Sequence, residues 1–335
     1  MSRAVRYKKH LTTLQVFLSI VLVLLTVCVL VKAFFLKAPE QKAAELPAQS
    51  AASDTDSQQS PEEQAAQEAL RSHLERKGGF YTILLSGLDD DNGGSDTNIL
   101  VAVDTVNGYV YGVSIPRDSK AIIDGKARKI NYAYNKGGTE LLADTVSEQL
   151  GIPVDYTVSV NLKGFTALVD AIGGVDFDVP INMDYDDPIQ NLSIHFKKGV
   201  QHLSGADALR VVRFRHNNDG SGYGSEDLGR MATQQKFLKA VAKKMLSAGN
   251  ILTKIDDYAK IFNQYVDTNL TVGNLAWLGT EVLKMGVDKI DFSTLPNAWK
   301  YPYIYLDPTE TLTLVNTYLN PYVEDRTAED LHLPS

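Results

Sequence analysis

Arginines gather around one polar stretch of this sequence. In ALRVVRFRHNNDGSGYGSEDLGRMATQQKF, residues 208–237, Arg210, Arg213, Arg215 and His216 precede a run of Gly, Ser, Asn and Asp, and Arg230 and Gln234 follow it. A guanidinium fork matches phosphate oxygens two at a time, so such a group suits a bound anion. In VVRFRH the arginines alternate with Val212 and Phe214. An extended segment turns Arg213 and Arg215 to one face, whereas a helix separates them by roughly 200°. The alternation predicts the extended form. Arg230 and Gln234 are four apart in a helical pattern and share a face. The Gly-Ser loop between the two elements is expected to open for a bulky substrate. A charged edge strand followed by an ordinary helix is the plain alternative.

Two further groups add oxygen and cationic chemistry. Asp89 closes one apolar run and Asp96 opens the next, across DDDNGGSD. Carboxylates at adjoining strand ends suit a hard divalent cation such as Mg²⁺, which keeps one or two carboxylates beside substrate phosphates; a solvated acidic turn is the alternative. The loop is not an EF-hand, because Gly93 and Leu100 fall where ligands are needed. In SIPRDS, Arg117 and Asp118 follow a strand that runs into Pro116. Ligands of open α/β sheets collect at such strand ends, and a surface ion pair is the alternative. Lys129 in RKINYAY is a flexible cation suited to phosphate as a point charge. Together these residues point to pyrophosphate. No G-x-x-x-x-G-K-[ST], G-x-S-x-G, H-E-x-x-H or Cys/His cluster is present.

The elements that must position these groups read as follows. FYTILLSGL, TNILVAVD and YVYGVSI are strand-like, with TVNG as a turn between the last two. GGTELLADTVSEQLG reads as a helix, VDYTVSV as a strand, LKGFTALVDAIGG as a helix and VDFDVP as a strand. Helical patterns follow over 228–247, 251–265 and 272–285, then a strand at KIDFSTLP and a last helix at DPTETLTLVNTYLN. The alternation predicts an α/β domain with a mixed central sheet flanked by helices.

The ends of the chain carry topology. Residues 14–31 are uncharged, and at about 1.5 Å per residue they span about 27 Å, close to a bilayer's hydrocarbon thickness. Arg3, Arg6, Lys8 and Lys9 precede this run, which predicts a cytoplasmic N-terminus and an external remainder. No small-residue cleavage site closes the run, so an uncleaved anchor is expected rather than a signal peptide. The expected layout is a cytoplasmic segment 1–13, an anchor 14–36, an external linker with a helix 37–78, a domain 79–325 and a tail 326–335. The 335 residues carry a net charge of −8, which argues against a nucleic-acid partner. The single cysteine, Cys28, falls in the apolar run and excludes an internal disulfide. Outside a membrane ATP is scarce, so a polyprenyl-linked pyrophosphate fits this layout better than a nucleotide.

The order ILLSGLDDDNGGSDT, VSIPRDS, KINYAYNKGG, LVDAIGGVDFDVP, LSGADALRVVRFRH and DLGRMATQQ resembles the LytR-CpsA-Psr family of bacterial cell-envelope enzymes. The resemblance covers roughly residues 80–245, with a family-like tail to about 325. It implies a phosphotransferase that moves an anionic or capsular glycan from a polyprenyl pyrophosphate to peptidoglycan, with Mg²⁺ or Mn²⁺, leaving polyprenyl phosphate. It implies metal binding by Asp89 and Asp96, and pyrophosphate contacts by Arg117, Lys129, Arg213, Arg215, Arg230 and Gln234. Asp89, Asp96, Arg117, Arg213 and Arg215 then form the catalytic set, and membrane lipid, lipid-linked glycan and peptidoglycan are the partners. Many members carry Arg two places before the second metal-binding Asp; Gly94 stands there in this chain, with Arg128 nearby in sequence. Two other readings stay open: a module that binds lipid-linked glycan without catalysis, and a pyrophosphatase that uses water as acceptor.

Overall fold

The computed structural model describes residues 36–42, 73–88, 94–189, 192–224, 226–245 and 255–335. The apolar run 14–31, most of the expected linker with its helix, and Asp89 lie outside these residues. Among the described residues, no helix is long and apolar enough to cross a membrane. Two compact units are present. One contains the segment up to Glu40 with Leu270–Glu281; the other contains Gln41–Asn269 and Val282–Ser335. In the first, Asn274 caps its own helix start through Thr271 and donates to the Lys37 carbonyl at 2.9 Å.

The second unit is built on a six-stranded sheet in the order β11-β6-β1-β2-β3-β12. Its strands are β1 (Phe80–Leu88), β2 (Ser95–Asp104), β3 (Tyr109–Ile115), β6 (Tyr156–Asn161), β11 (Val266–Thr268) and β12 (Ile290–Thr294). β2 runs antiparallel to both β1 and β3, while β6 is parallel to β1 and β12 is parallel to β3. The carboxyl ends of β1, β3, β6 and β12 therefore meet at one edge, beside the start of β2.

Strand alternation fixes the faces. Phe80, Leu84, Leu100, Ala102, Val113 and Ile115 point to one core with Leu142, Val146 and Leu150 of α1 (Asn131–Leu150). The expected helix there began at Gly137. The structure adds a turn before it, and Gly137 and Gly138 leave helical geometry between the two parts. A second core joins α2 (Leu162–Ala171), α3 (Gly205–Arg213), α4 (Glu226–Met245) and four short strands. These are β7 (Val175–Val179) and β10 (Gly199–Leu203), which pair together, and β8 (Met183–Asp187) and β9 (Leu192–Phe196), which form a hairpin. Two further hairpins are β4 (Lys120–Ile123) with β5 (Lys126–Lys129), and β13 (Asn297–Lys300) with β14 (Tyr303–Leu306). The remaining helices are α5 (Ile255–Tyr265), α6 (Val272–Met285) and α7 (Pro308–Leu314).

One local expectation is overturned. ALRVVR is the body of helix α3, capped at its start by Ser204, whose hydroxyl accepts from the Asp207 N–H. Ala208 and Val211 face the core at a spacing of three, and that helical period outweighs the short alternation of VVRFRH. The chain becomes extended only at Phe214 (φ −61°, ψ 134°).

Candidate active site

Asp96 and Arg117 meet at the sheet edge. The β1–β2 register passes from Gly87↔Thr97 to Leu88↔Ser95, so Asp96 is the extra residue of a bulge and turns outward. Arg117 lies two residues beyond the end of β3, in a turn closed by the Ser119 N–H donating to the Pro116 carbonyl. Its Nη1 donates to Asp96 Oδ1 at 2.6 Å. The next residue, Asp118, pairs with Lys129 Nζ at 3.0 Å. The β4–β5 hairpin sets that pair, because it brings Lys129 opposite Lys120. Arg117, Asp118 and Lys129 thus form one patch with Asp96, half-exposed and of mixed charge.

The second cluster is carried by α3 and α4. Arg213 is the last residue of α3, and Arg215 follows the fully buried Phe214. Gln234 on α4 donates to the Val212 carbonyl at 3.0 Å, which ties α4 to the end of α3. Its neighbour Gln235 donates to the Ser293 carbonyl at 2.8 Å and to Thr294 Oγ1 at 3.1 Å, and reaches Ser114 Oγ at 3.4 Å. Those three residues end β12 and β3. α4 therefore links the arginine-bearing end of α3 to the edge that carries Arg117. The spacing from Arg230 singled out Gln234 in the sequence, whereas the Gln235 contacts are made to residues distant in the chain and have no local signal.

Arg230 is held beside Tyr223. Burial pushes the Tyr223 phenol up, while Thr233 and the Arg230 charge pull it down. Tyr223 packs edge-to-face on Phe214, with centroids 5.6 Å apart. Gly229 permits this approach: a Cβ there would lie 2.3 Å from Tyr223 Cβ. Arg215 stands near Tyr185, whose phenol is raised by burial and by Asp187 against the pull of the Arg215 charge.

The loop between the arginines is not open. Asn217 donates its N–H to the Ser221 carbonyl at 2.7 Å, and His216 bridges to Gly222. Asn217 Oδ1 and Asn218 Oδ1 accept from the Asp184 and Asp186 N–H groups, each at 2.6 Å, so the loop lies along β8. These bonds hold residues 216–222 along β8 in this structure.

Gly94 has φ 107°, a conformation that side-chain-bearing residues rarely adopt, and a Cβ there would lie 3.1 Å from Asn135 Oδ1. Asn135 thus borders the place where the resemblance puts an arginine. Arg128 lies 5.5 Å from the Tyr132 ring centroid. Among the described residues, no group of three or more His, Cys, Asp or Glu side chains is placed to hold a metal. Asp96, half-exposed and paired with Arg117, is a hard-oxygen donor that suits a cation completed by substrate phosphate and water.

Known proteins share this arrangement of strands and helices. TagV of Bacillus subtilis (strain 168), named a polyisoprenyl-teichoic acid–peptidoglycan teichoic acid transferase, is 37% identical over 202 residues, covering 57% of this chain and 50% of that protein. TagU of Bacillus cereus, with the same transferase name, is 37% identical over 195 residues, covering 57% of this chain and 60% of that protein. The match therefore spans only about half of the length of these relatives. The crystal structure of B. subtilis TagV aligns with a TM-score of 0.60 at 32% identity, over 72% of this chain and 96% of that one. Residues 44–319 match the LytR_cpsA_psr family as a whole, and the chain belongs to that family.

Proposed function

We propose that this chain is a phosphotransferase that attaches an anionic glycopolymer, carried on a polyprenyl pyrophosphate, to peptidoglycan. The observation that carries this reading is the Asp96–Arg117 pair at the carboxyl edge of the sheet, joined through α4 to the end of α3. The named transferase activity of the relatives supports it. Phosphoryl transfer depends mostly on positioning and charge neutralisation. Arg117, Lys129, Arg213, Arg215 and Arg230 bind and orient the pyrophosphate and stabilise charge on the leaving polyprenyl phosphate. Gln234, whose amide holds Val212, keeps Arg213 in place. Asp96, with Asp89, would hold Mg²⁺ or Mn²⁺, which would supply further neutralisation of the phosphate charge. The acceptor sugar hydroxyl attacks in line, and Asp118 is a nearby carboxylate for its proton.

The same reading places residues 14–36 in the membrane as a single anchor, with the cytoplasmic segment inside and the domain outside. External protease on intact protoplasts removes the domain under that topology; a protected domain rules it out. For the activity, the purified chain is mixed with lipid-linked polymer, peptidoglycan and Mg²⁺. Polymer attached to peptidoglycan is expected. Release of free polymer instead would mean that water is the acceptor, and no turnover with retained substrate binding would mean a binding module.

A further inference from the structure

The chain is pinned at the end of the sheet opposite the candidate site. Gln41 Nε2 donates to the Lys77 and Phe80 carbonyls, each at 2.7 Å. The Lys42 N–H donates to Asp155 Oδ1 at 2.9 Å, and the Lys42 carbonyl accepts from Arg76 Nη1 at 2.9 Å. Asp155 precedes β6, and Arg76 and Lys77 precede β1. These contacts lie at the amino ends of two parallel strands, whereas Asp96 and Arg117 lie at the carboxyl ends. Gln41 and Lys42 therefore form a docked strap, where a loose linker was expected from residue 37.

The strap leaves a short tether. Under the single-anchor reading the membrane segment ends at Leu36. Five residue steps then join it to Gln41, and an extended chain covers at most about 17 Å in that span. The surface at the strapped end suits a membrane interface. Val106, in the turn between β2 and β3, is 75% exposed, and Val323, whose N–H donates to the Glu75 carbonyl, is 56% exposed. Tyr318 stacks on Tyr111 with centroids 3.8 Å apart, and its carbonyl accepts from the Tyr109 hydroxyl. Tyrosine rings beside aliphatic groups fit the headgroup level of a bilayer. Charges there are mixed, Lys42 and Lys77 against Glu75 and Glu324, so attraction to anionic lipid is not what would orient the domain.

We propose that the amino end of the sheet is the face this chain turns to the bilayer, held there by the strap at Gln41 and Lys42, so that the site edge points away from the membrane. The inference rests on the single-anchor reading. β1 has nine residues, and at about 3.3 Å each they set the site edge roughly 30 Å farther out than the strapped end. Under the transferase reading the wall lies on that outer side, where the acceptor reaches Arg117 without crossing the domain. The lipid-linked donor then has to rise by the same length for its pyrophosphate to meet Arg117.

The test uses the full chain in vesicles of neutral phosphatidylcholine that carry an energy acceptor on some headgroups. The native cysteine is first removed as Cys28→Ser. A donor dye is then placed at the strapped end through Val106→Cys or Val323→Cys. At the site edge it is placed through Ala298→Cys, an exposed residue of the hairpin whose Ile304 N–H donates to the Asp118 carbonyl at 2.9 Å. Transfer from either strapped-end position should exceed that from Ala298→Cys at least about twofold, given the ~30 Å difference in height. A flexible Gly-Ser insert of about 20 residues between Leu36 and Lys37 adds roughly 25 Å of reach and should bring the ratio toward one. Equal transfer from both ends, or more from Ala298→Cys, overturns the proposal, and a ratio that survives the insert overturns the strap as its cause. Chain that fails to float with the vesicles after an alkaline wash refutes the anchor and the proposal with it, whereas floating chain with equal transfer refutes the proposal alone.

Discussion

Arg117 and Arg210 show how the same side chain takes different work from its surroundings. Arg210 pairs with Asp207 at 2.9 Å, three residues away on the same exposed helix face. Such a surface pair contributes about 0.2–1 kcal/mol, and its guanidinium is already engaged away from the α3 terminus. Arg117 pairs with a carboxylate that the bulge turns outward at the sheet edge. A charge-assisted contact to pyrophosphate is worth about 1.5–3 kcal/mol. Arg117→Ala, Arg213→Ala and Arg215→Ala should therefore each cost about ten- to a hundredfold in kcat/KM on a lipid-pyrophosphate substrate. Arg215→Lys should recover only part, since lysine keeps the charge and lacks the fork. Arg210→Ala should stay near wild type, and Asp96→Ala should remove the dependence on Mg²⁺. Equal losses across the four alanine variants at arginine would show that general surface charge, rather than a shaped site, accounts for the cluster.

At the scale of elements, what could be read from sequence followed the strength of the local signal. β1, β2 and β3 are long apolar runs separated by clear turns, and they lie where their composition put them. The β8–β9 hairpin was invisible, because MDYDD and LSIHF bury only Met183 and Ile194 fully and expose acidic groups between. The site followed the same rule. Arg117 was legible as a strand-end residue, while the β4–β5 hairpin that carries Lys129 was not expected, and the ties through Gln235 and Gly229 depend on long-range packing that no local pattern encodes. The β8–β9 hairpin also gives a pH expectation. His195 Nδ1 meets Asp184 Oδ1 at 2.7 Å and its Nε2 lies 3.3 Å from Asp186. The hydrogen bond to Asp184 raises its pKa, burial opposes the rise, and the Asp186 charge adds to it. A raised folded value means that the contribution is fully present below the ordinary histidine value of about 6.5 and is lost as pH rises through the folded value. The thermal midpoint of wild type minus that of His195→Gln should therefore be positive at pH of about 5 and shrink toward zero by about 8. A difference that grows with pH would refute the assignment.

Across the whole of the larger unit, the site edge has a counterpart at the amino ends of the parallel strands. There Arg76, just before β1, meets Asp155, just before β6. Its Nη2 lies 2.9 Å from Oδ2 and its Nη1 3.1 Å from Oδ1. Thr82 donates its N–H to the same carboxylate at 2.9 Å, and the Lys42 N–H donates at 2.9 Å. Tyr322 lies against both Arg76 and Arg326, with guanidinium carbons 5.9 and 4.3 Å from its ring centroid. The chain before β1 and the segment after α7 are thus locked onto one end of the sheet. The Asp155 side chain is fully buried and that of Arg76 is 10% exposed. Removing one partner of a buried pair strands the other charge and costs about 3–5 kcal/mol, a large share of the roughly 5–15 kcal/mol that holds a domain folded. Asp155→Asn should lower the unfolding free energy in urea by that amount. The loss should persist at high salt, because a buried pair is little screened. Replacing both partners together, as Arg76→Met with Asp155→Leu, should be less damaging than the single change, since no charge is then left buried. Well below the midpoint, kcat/KM of Asp155→Asn should match wild type, because the pair lies at the far end of the strands from Asp96 and Arg117. An activity loss at full stability would instead mean that the two ends of the sheet are coupled.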